Sequence, residues 1–132
     1  MAWDQYQSLL SELGEDPSSA TRDRLLNVSA PEHASFLLEN FQDAAERRIH
    51  TEGVRSTSYF ALEPQSRPEQ PQVRLCEDLS NERLIGDEGE DLTPPNQQDP
   101  RSRSVTFVES ENGFVIANVV AYDGSPEADP CR

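Results

Sequence analysis

Cys76 and Cys131 are the residues whose types bound the chemistry of this chain most narrowly. Cys76 stands in the strand-like run Val73-Arg74-Leu75-Cys76-Glu77-Asp78-Leu79, and Cys131 follows the polar stretch Ser125-Pro126-Glu127-Ala128-Asp129-Pro130. Nothing apolar surrounds Cys131, so burial as a small hydrophobe does not account for it. A covalent partner that ties down a fraying tail does. The pair predicts a Cys76–Cys131 disulfide and with it an oxidising compartment. The alternative is an ordinary core cysteine at 76 and a free thiol in the tail. A nucleophilic Cys76 would want a basic neighbourhood to lower its pKa, and Glu77 and Asp78 do the opposite.

Other reactive types are scattered. Proton-transfer chemistry needs a carboxylate base in an apolar cavity together with tyrosine or protonated carboxyl donors. By residue type the candidates are Asp78, Glu63 and Glu109, with Tyr6, Tyr59 and Tyr122. Most of these acids fall at strand ends or turns, where solvation is the default. His33 and His50 read as lying near the two ends of one helix, about 25 Å apart at the rise of an α-helix, too far to share a metal. The run Asp87-Glu88-Gly89-Glu90-Asp91 lacks the alternating ligands of an EF-hand and reads as an acidic turn. With no phosphate loop, nucleophile elbow or Cys-x-x-Cys, no metal and no cofactor is expected. Trp3, Tyr6, Phe36, Phe41, Tyr59 and Phe60 could line a ligand cavity or simply fill a core.

The chain has 132 residues and a net charge of −14, enough for one core and one domain. Between Cys76 and Asp99 stand eight acids against one base, Arg83, so seven of the fourteen excess charges sit in one stretch that reads as a solvated face. Such a surface repels a phosphate backbone, which argues against nucleic acid as a partner. All 11 basic residues are arginine, the compositional mark of a GC-rich genome. No apolar run of about 20 residues is present to span a membrane. Met1-Ala2-Trp3-Asp4 has no basic start, apolar segment or cleavage site, so an oxidising destination requires an export signal or lipid anchor upstream.

The elements that must position these residues fall into two halves. Trp3, Tyr6, Leu9, Leu10 and Leu13 share one face of a helix that Gly14 can end. Asp16-Pro17 starts a short helix through Leu25 and Leu26. Ser29 and Pro31 open a third helix, with Phe36, Leu37, Phe41, Ala44 and Ala45 as its apolar stripe and Gly53 as its end. Helices thus occupy about 2–52. Strands occupy about 54–123: 54–62, 72–79, 82–85, 104–109 and 113–122, the last two joined by the hairpin signal Glu111-Asn112-Gly113. A tail covers 124–132. Helices first and antiparallel strands afterwards predict an α+β domain, with N-terminal helices packed on the concave face of a curved, mostly antiparallel sheet, a cone-like α+β barrel.

This order of elements is carried by specific residues: the tryptophan-tyrosine first helix, Val73-Arg74-Leu75-Cys76-Glu77-Asp78-Leu79-Ser80, the turn in Leu84-Ile85-Gly86-Asp87-Glu88-Gly89-Glu90-Asp91-Leu92-Thr93-Pro94, then Ser104-Val105-Thr106-Phe107-Val108 and Gly113-Phe114-Val115-Ile116. Together they resemble the nuclear transport factor 2-like cone fold, in the version found in secreted and lipid-anchored proteins of actinobacteria or their phages. The resemblance spans roughly Trp3 to Cys131. It implies the cone fold and an exported protein whose disulfide is structural, and it implies no catalytic residue, because this version shares no catalytic motif. Three functions remain open. The first is a non-catalytic extracytoplasmic binding domain, tethered to the cell surface by an anchor removed from this sequence. It would take a small apolar ligand in the cone or a protein on its acidic rim, and would dimerise, if at all, through the sheet. The second is a small isomerase- or dehydratase-like enzyme using the same cavity. The third is an acidic cytosolic inhibitor, which would need both cysteines reduced.

Overall fold

The structure is a computed structural model and describes residues 2–111 and 113–131. Three α-helices come first: α1 (Ala2–Glu15), α2 (Arg22–Leu26) and α3 (Pro31–Glu46). Six strands follow: β1 (His50–Glu52), β2 (Ser56–Leu62), β3 (Gln72–Asp78), β4 (Arg83–Ile85), β5 (Arg101–Ser110) and β6 (Gly113–Ala121). An antiparallel sheet runs in the order β2-β3-β5-β6, and β1 pairs with β4 in a separate two-stranded ribbon. The protein is therefore α+β, with the helices on the inner face of a curved sheet that does not close into a barrel.

The core lies between α1, α3 and that inner face. Trp3, Tyr6 and Leu13 of α1, together with Ala34 and Leu37 of α3, meet Val73, Leu75, Val105, Phe107 and Ile116 of the sheet. Each fully buried large apolar side chain stabilises the fold by about 1.5–3 kcal/mol, so this set supplies the main driving force. Gly14 is buried inside the last turn of α1. A Cβ there would strike Thr51, and its absence lets β1 lie against the helix.

Several helix boundaries differ from the sequence expectation. Residues 17–19 form only a 3₁₀ turn, and α2 starts later, capped by Thr21, whose hydroxyl accepts from the Arg24 N–H. Ser29 does not cap α3. It is buried, its hydroxyl bonds back to the Leu25 carbonyl, and Ala30 takes the N-cap position with its N–H donated to the Ile116 carbonyl. The start of α3 is thus held by β6 instead of by a side-chain cap. At its other end α3 stops at Glu46. Arg48 adopts a left-handed conformation (φ 57°), and the Arg48 and Ile49 N–H groups return to the Ala45 and Ala44 carbonyls in a Schellman turn. His50 consequently lies in β1, outside the helix, and Gly53 follows a strand. Gly53 has φ 87° and packs against the Asn81 backbone, a place where no side chain fits.

The strands agree more closely, with β5 starting three residues earlier than the apolar pattern suggested. Ser110 pairs with Gly113, which confirms the hairpin, while Asn112 at its tip lies outside the described residues. Two irregularities control which side chains face inward. The register shifts between Thr57 and Tyr59, where Ser58 is the extra residue in β2, and opposite Thr106 and Phe107, where Ala117 is the extra residue in β6. Such a bulge moves every later side chain to the opposite face.

Candidate functional site

Strand β3 divides the chemistry of the molecule between two faces by simple alternation. Val73, Leu75 and Glu77 point to the helices, whereas Arg74 and Cys76 point outward. On the outer face Cys76 is joined to Cys131 by a disulfide, which pins the tail across the sheet as the cysteine pair predicted.

The inner face carries an apolar groove of about 410 Å³ at the N-terminal end of α1. Its floor is Val73 and Phe107, both buried, and its rim is Phe60 and Phe114, each 39% exposed. Ala2, Gln5 and Pro71 complete it. Among the described residues no titratable side chain lines this groove, which presents apolar surface and one amide. Its size lies within the ~300–1,000 Å³ of small-molecule sites.

Behind the groove runs a buried polar chain that links α1 to the sheet. The Trp3 indole N–H donates to Thr57 (2.9 Å), Thr57 to the Gln7 carbonyl (3.3 Å), and the Gln7 amide to Glu77 (2.8 Å). Glu77 also meets Arg103 (3.2 Å) and Arg55 (3.5 Å), and Arg55 grips Glu82 through two bonds of 3.1 and 2.9 Å. Glu77 and Glu82 are only 3% and 5% exposed. Two carboxylates and two guanidiniums balance in charge, which offsets the cost of burying them. Burial alone would lower the Arg55 pKa, but the hydrogen bonds it donates to Glu82 and the charges of both glutamates raise it on balance. The sequence placed Glu77 and Glu82 in a solvated acidic face. The alternation Val73, Leu75, Glu77 was the signal that Glu77 faces inward.

Next to this chain the rings of Trp3, Tyr6, His33 and Phe36 form a ladder with centroid spacings of 5.3, 5.8 and 6.1 Å. Tyr6 and His33 share a hydrogen bond of 2.8 Å between Oη and Nε2. Burial raises the Tyr6 pKa well above its ordinary value of 10.0 and lowers that of His33 below 6.5, so both are held neutral. His33 and Phe36 also border a depression of about 580 Å³ shared with Asn118 and Val120.

Of the six aromatic residues expected to line a cavity, the structure brings only Phe60 to the groove. Trp3 and Tyr6 fill the core. Phe41 packs partly buried at its margin, and Phe36 is 57% exposed because Ala34 and Leu37, not Phe36, set the inward face of α3. Tyr59 faces outward, since the bulge before it reverses the alternation that starts with Thr57. The acid and base candidates are likewise dispersed. Glu63 pairs with Arg74 on the outer face, Tyr122 donates to the Ser125 carbonyl, Glu109 is exposed, and Asp78 accepts from Ser80, whose side chain first and backbone N–H second hold its pKa below 3.8. Among the described residues no cluster of three or more His, Cys, Asp or Glu side chains could hold a metal.

No family model matches the chain, and no curated protein does. Among solved structures, the intermembrane space region of the chloroplast protein ARC6 superposes with a TM-score of 0.63 at 11% identity, over 93% of this chain and 92% of that one. At that identity the likeness is one of fold. A de novo designed β-sheet protein aligns over 97% of this chain and 90% of its own at 12% identity, with a TM-score of 0.39. That value is too low to carry an argument.

Proposed function

We propose that this chain is a non-catalytic, extracytoplasmic binding domain of the nuclear transport factor 2-like type, which holds a small neutral apolar group in the groove between α1 and the inner face of the sheet. The observation that carries this reading is the groove itself: two half-exposed phenylalanines over an apolar floor, with no titratable lining. The Cys76–Cys131 disulfide fits an extracytoplasmic location, and among the described residues no helix is long and apolar enough to cross a membrane. A net charge of −14 selects against anionic ligands at long range, so the ligand is neutral or cationic.

Titration with Nile red, a neutral apolar probe, tests the reading. Its fluorescence should rise on binding, and amide resonances of Phe60, Val73, Phe107 and Phe114 should move together. Phe60→Asp and Phe114→Asp, at partly exposed positions, should each weaken binding about tenfold while leaving the circular dichroism spectrum unchanged, since a charge at the rim must be desolvated. Equal affinity in both variants, or resonance changes confined to other surfaces, would refute the groove as the site.

A further inference from the structure

The outer face of the sheet holds a second cavity, built against the tail. After β6 the chain turns back over the sheet at Tyr122-Asp123-Gly124-Ser125 and ends bonded to Cys76. This wall is well braced. The Tyr122 N–H donates to the Ser102 carbonyl (3.0 Å) and its hydroxyl to the Ser125 carbonyl (3.1 Å), Ser102 hydrogen-bonds Asp129, and Gly124 leaves no room for a Cβ against the Tyr122 ring. Between wall and strands lies a space of about 470 Å³, bordered by Glu63, Gln65, Arg74, Ser104, Tyr122 and Asp123.

Arg74 forms its floor. The guanidinium is held by Glu63 at 3.3 Å and by a side-chain hydrogen bond with Tyr59, while its Nε is buried with no hydrogen-bond partner, the one such side-chain atom found among the described residues. We infer that this cavity binds a neutral polyhydroxylated ligand, a sugar. Glu63 already neutralises Arg74 and Asp123 adds a further negative charge, so a phosphate or carboxylate would enter against the local field. A hydroxyl group suits the lining better, because it accepts from the Arg74 guanidinium or the Gln65 amide and donates to the carboxylates of Glu63 or Asp123. Tyr122 provides an aromatic wall for the C–H face of a pyranose ring, the kind of amphipathic surface that tyrosine offers at binding sites.

The test is an amide-resonance titration of the oxidised protein with maltose, sucrose and diacetylchitobiose, run beside inorganic phosphate and citrate. At least one disaccharide should saturably shift Glu63, Arg74, Ser104 and Ser125 while leaving Phe60 and Phe114 still, which keeps this site separable from the apolar groove. Arg74→Lys preserves the charge facing Glu63 but removes the planar set of guanidinium N–H donors, and should weaken the sugar about tenfold. Gln65→Ala, at an exposed position outside the strands, tests the same cavity without risk to the fold and should also weaken it. The inference is overturned if none of the three disaccharides moves these resonances at ~10 mM, a concentration that would reveal even millimolar binding. It is equally overturned if phosphate or citrate saturates the site at lower concentration than any of the sugars, or if Arg74→Lys and Gln65→Ala both bind as tightly as the parent protein.

Discussion

Replacing Cys131 with serine removes the covalent tie while changing one atom, and its effect follows from the loop the tie closes. Cys76 and Cys131 are separated by 55 residues. In the chain-entropy account, a crosslink of that span removes about 14 cal/mol/K from the unfolded chain, which is about 4 kcal/mol at 25 °C. The contacts that stay behind are the Tyr122 and Asp129 hydrogen bonds to Ser102 and the burial of Pro130. They exist in both proteins and cancel in the difference. With a urea slope of about 2 kcal/mol/M for a domain of this size, Cys131→Ser should lower the unfolding midpoint by roughly 2 M. Trp3 is the one tryptophan and is buried in the core, so its fluorescence reports the global transition. The parent protein under strong reductant should unfold at the same urea concentration as the variant. A midpoint shift below about 0.5 M, under about 1 kcal/mol, would refute the reasoning and mean that the tail is held by its non-covalent contacts.

Glu77→Leu should destabilise the fold by about 2–3 kcal/mol, because Arg103 and Gln7 lose their acceptor; the partial exposure of the arginines trims the ~3–5 kcal/mol expected for a fully buried pair. The urea midpoint measures it, and a loss under about 1 kcal/mol would mean that solvent screens the network. His33 should make stability depend on mild acid. Burial lowers its folded pKa below the unfolded value of 6.5, so below that pH the unfolded chain binds more protons and stability falls as pH drops toward the folded pKa. Stability curves between pH 5 and 7 should slope for the parent and flatten for His33→Gln. Asp78 and Asp91, whose pKa values are held below 3.8 by hydrogen bonds to Ser80 and Thr93, contribute stability that is lost only in stronger acid, and cannot mimic this slope.

The fold class could be read from the chain because its cause is local and repeated: the helical spacing of Trp3, Tyr6 and Leu13 and the two-residue period of Val73, Leu75, Val105 and Phe107 both survive in the core. The disulfide was legible for a different reason, since a cysteine in a polar tail has little else to do. What escaped were features set by one residue of backbone conformation. The left-handed Arg48 ended α3 early and released His50 into a strand, although arginine carries no glycine-like signal for such a turn. The bulge before Tyr59 turned that ring away from the groove expected to contain it. Arg55 and Arg103 come from strands or loops far apart in sequence, so their meeting at Glu77 depends on tertiary register that no local pattern encodes.

The position of the two cysteines along the chain also orders how the molecule is made. Cys76 belongs to an interior strand, and its partner arrives 55 residues later, after β4, β5 and β6. At ~5–20 residues per second of synthesis, Cys76 waits several seconds before Cys131 is made. Within these 132 residues the 2 cysteines admit a single pairing. Covalent closure therefore comes only after the β5–β6 hairpin has been synthesised, and it ties β3 to the segment that follows that hairpin.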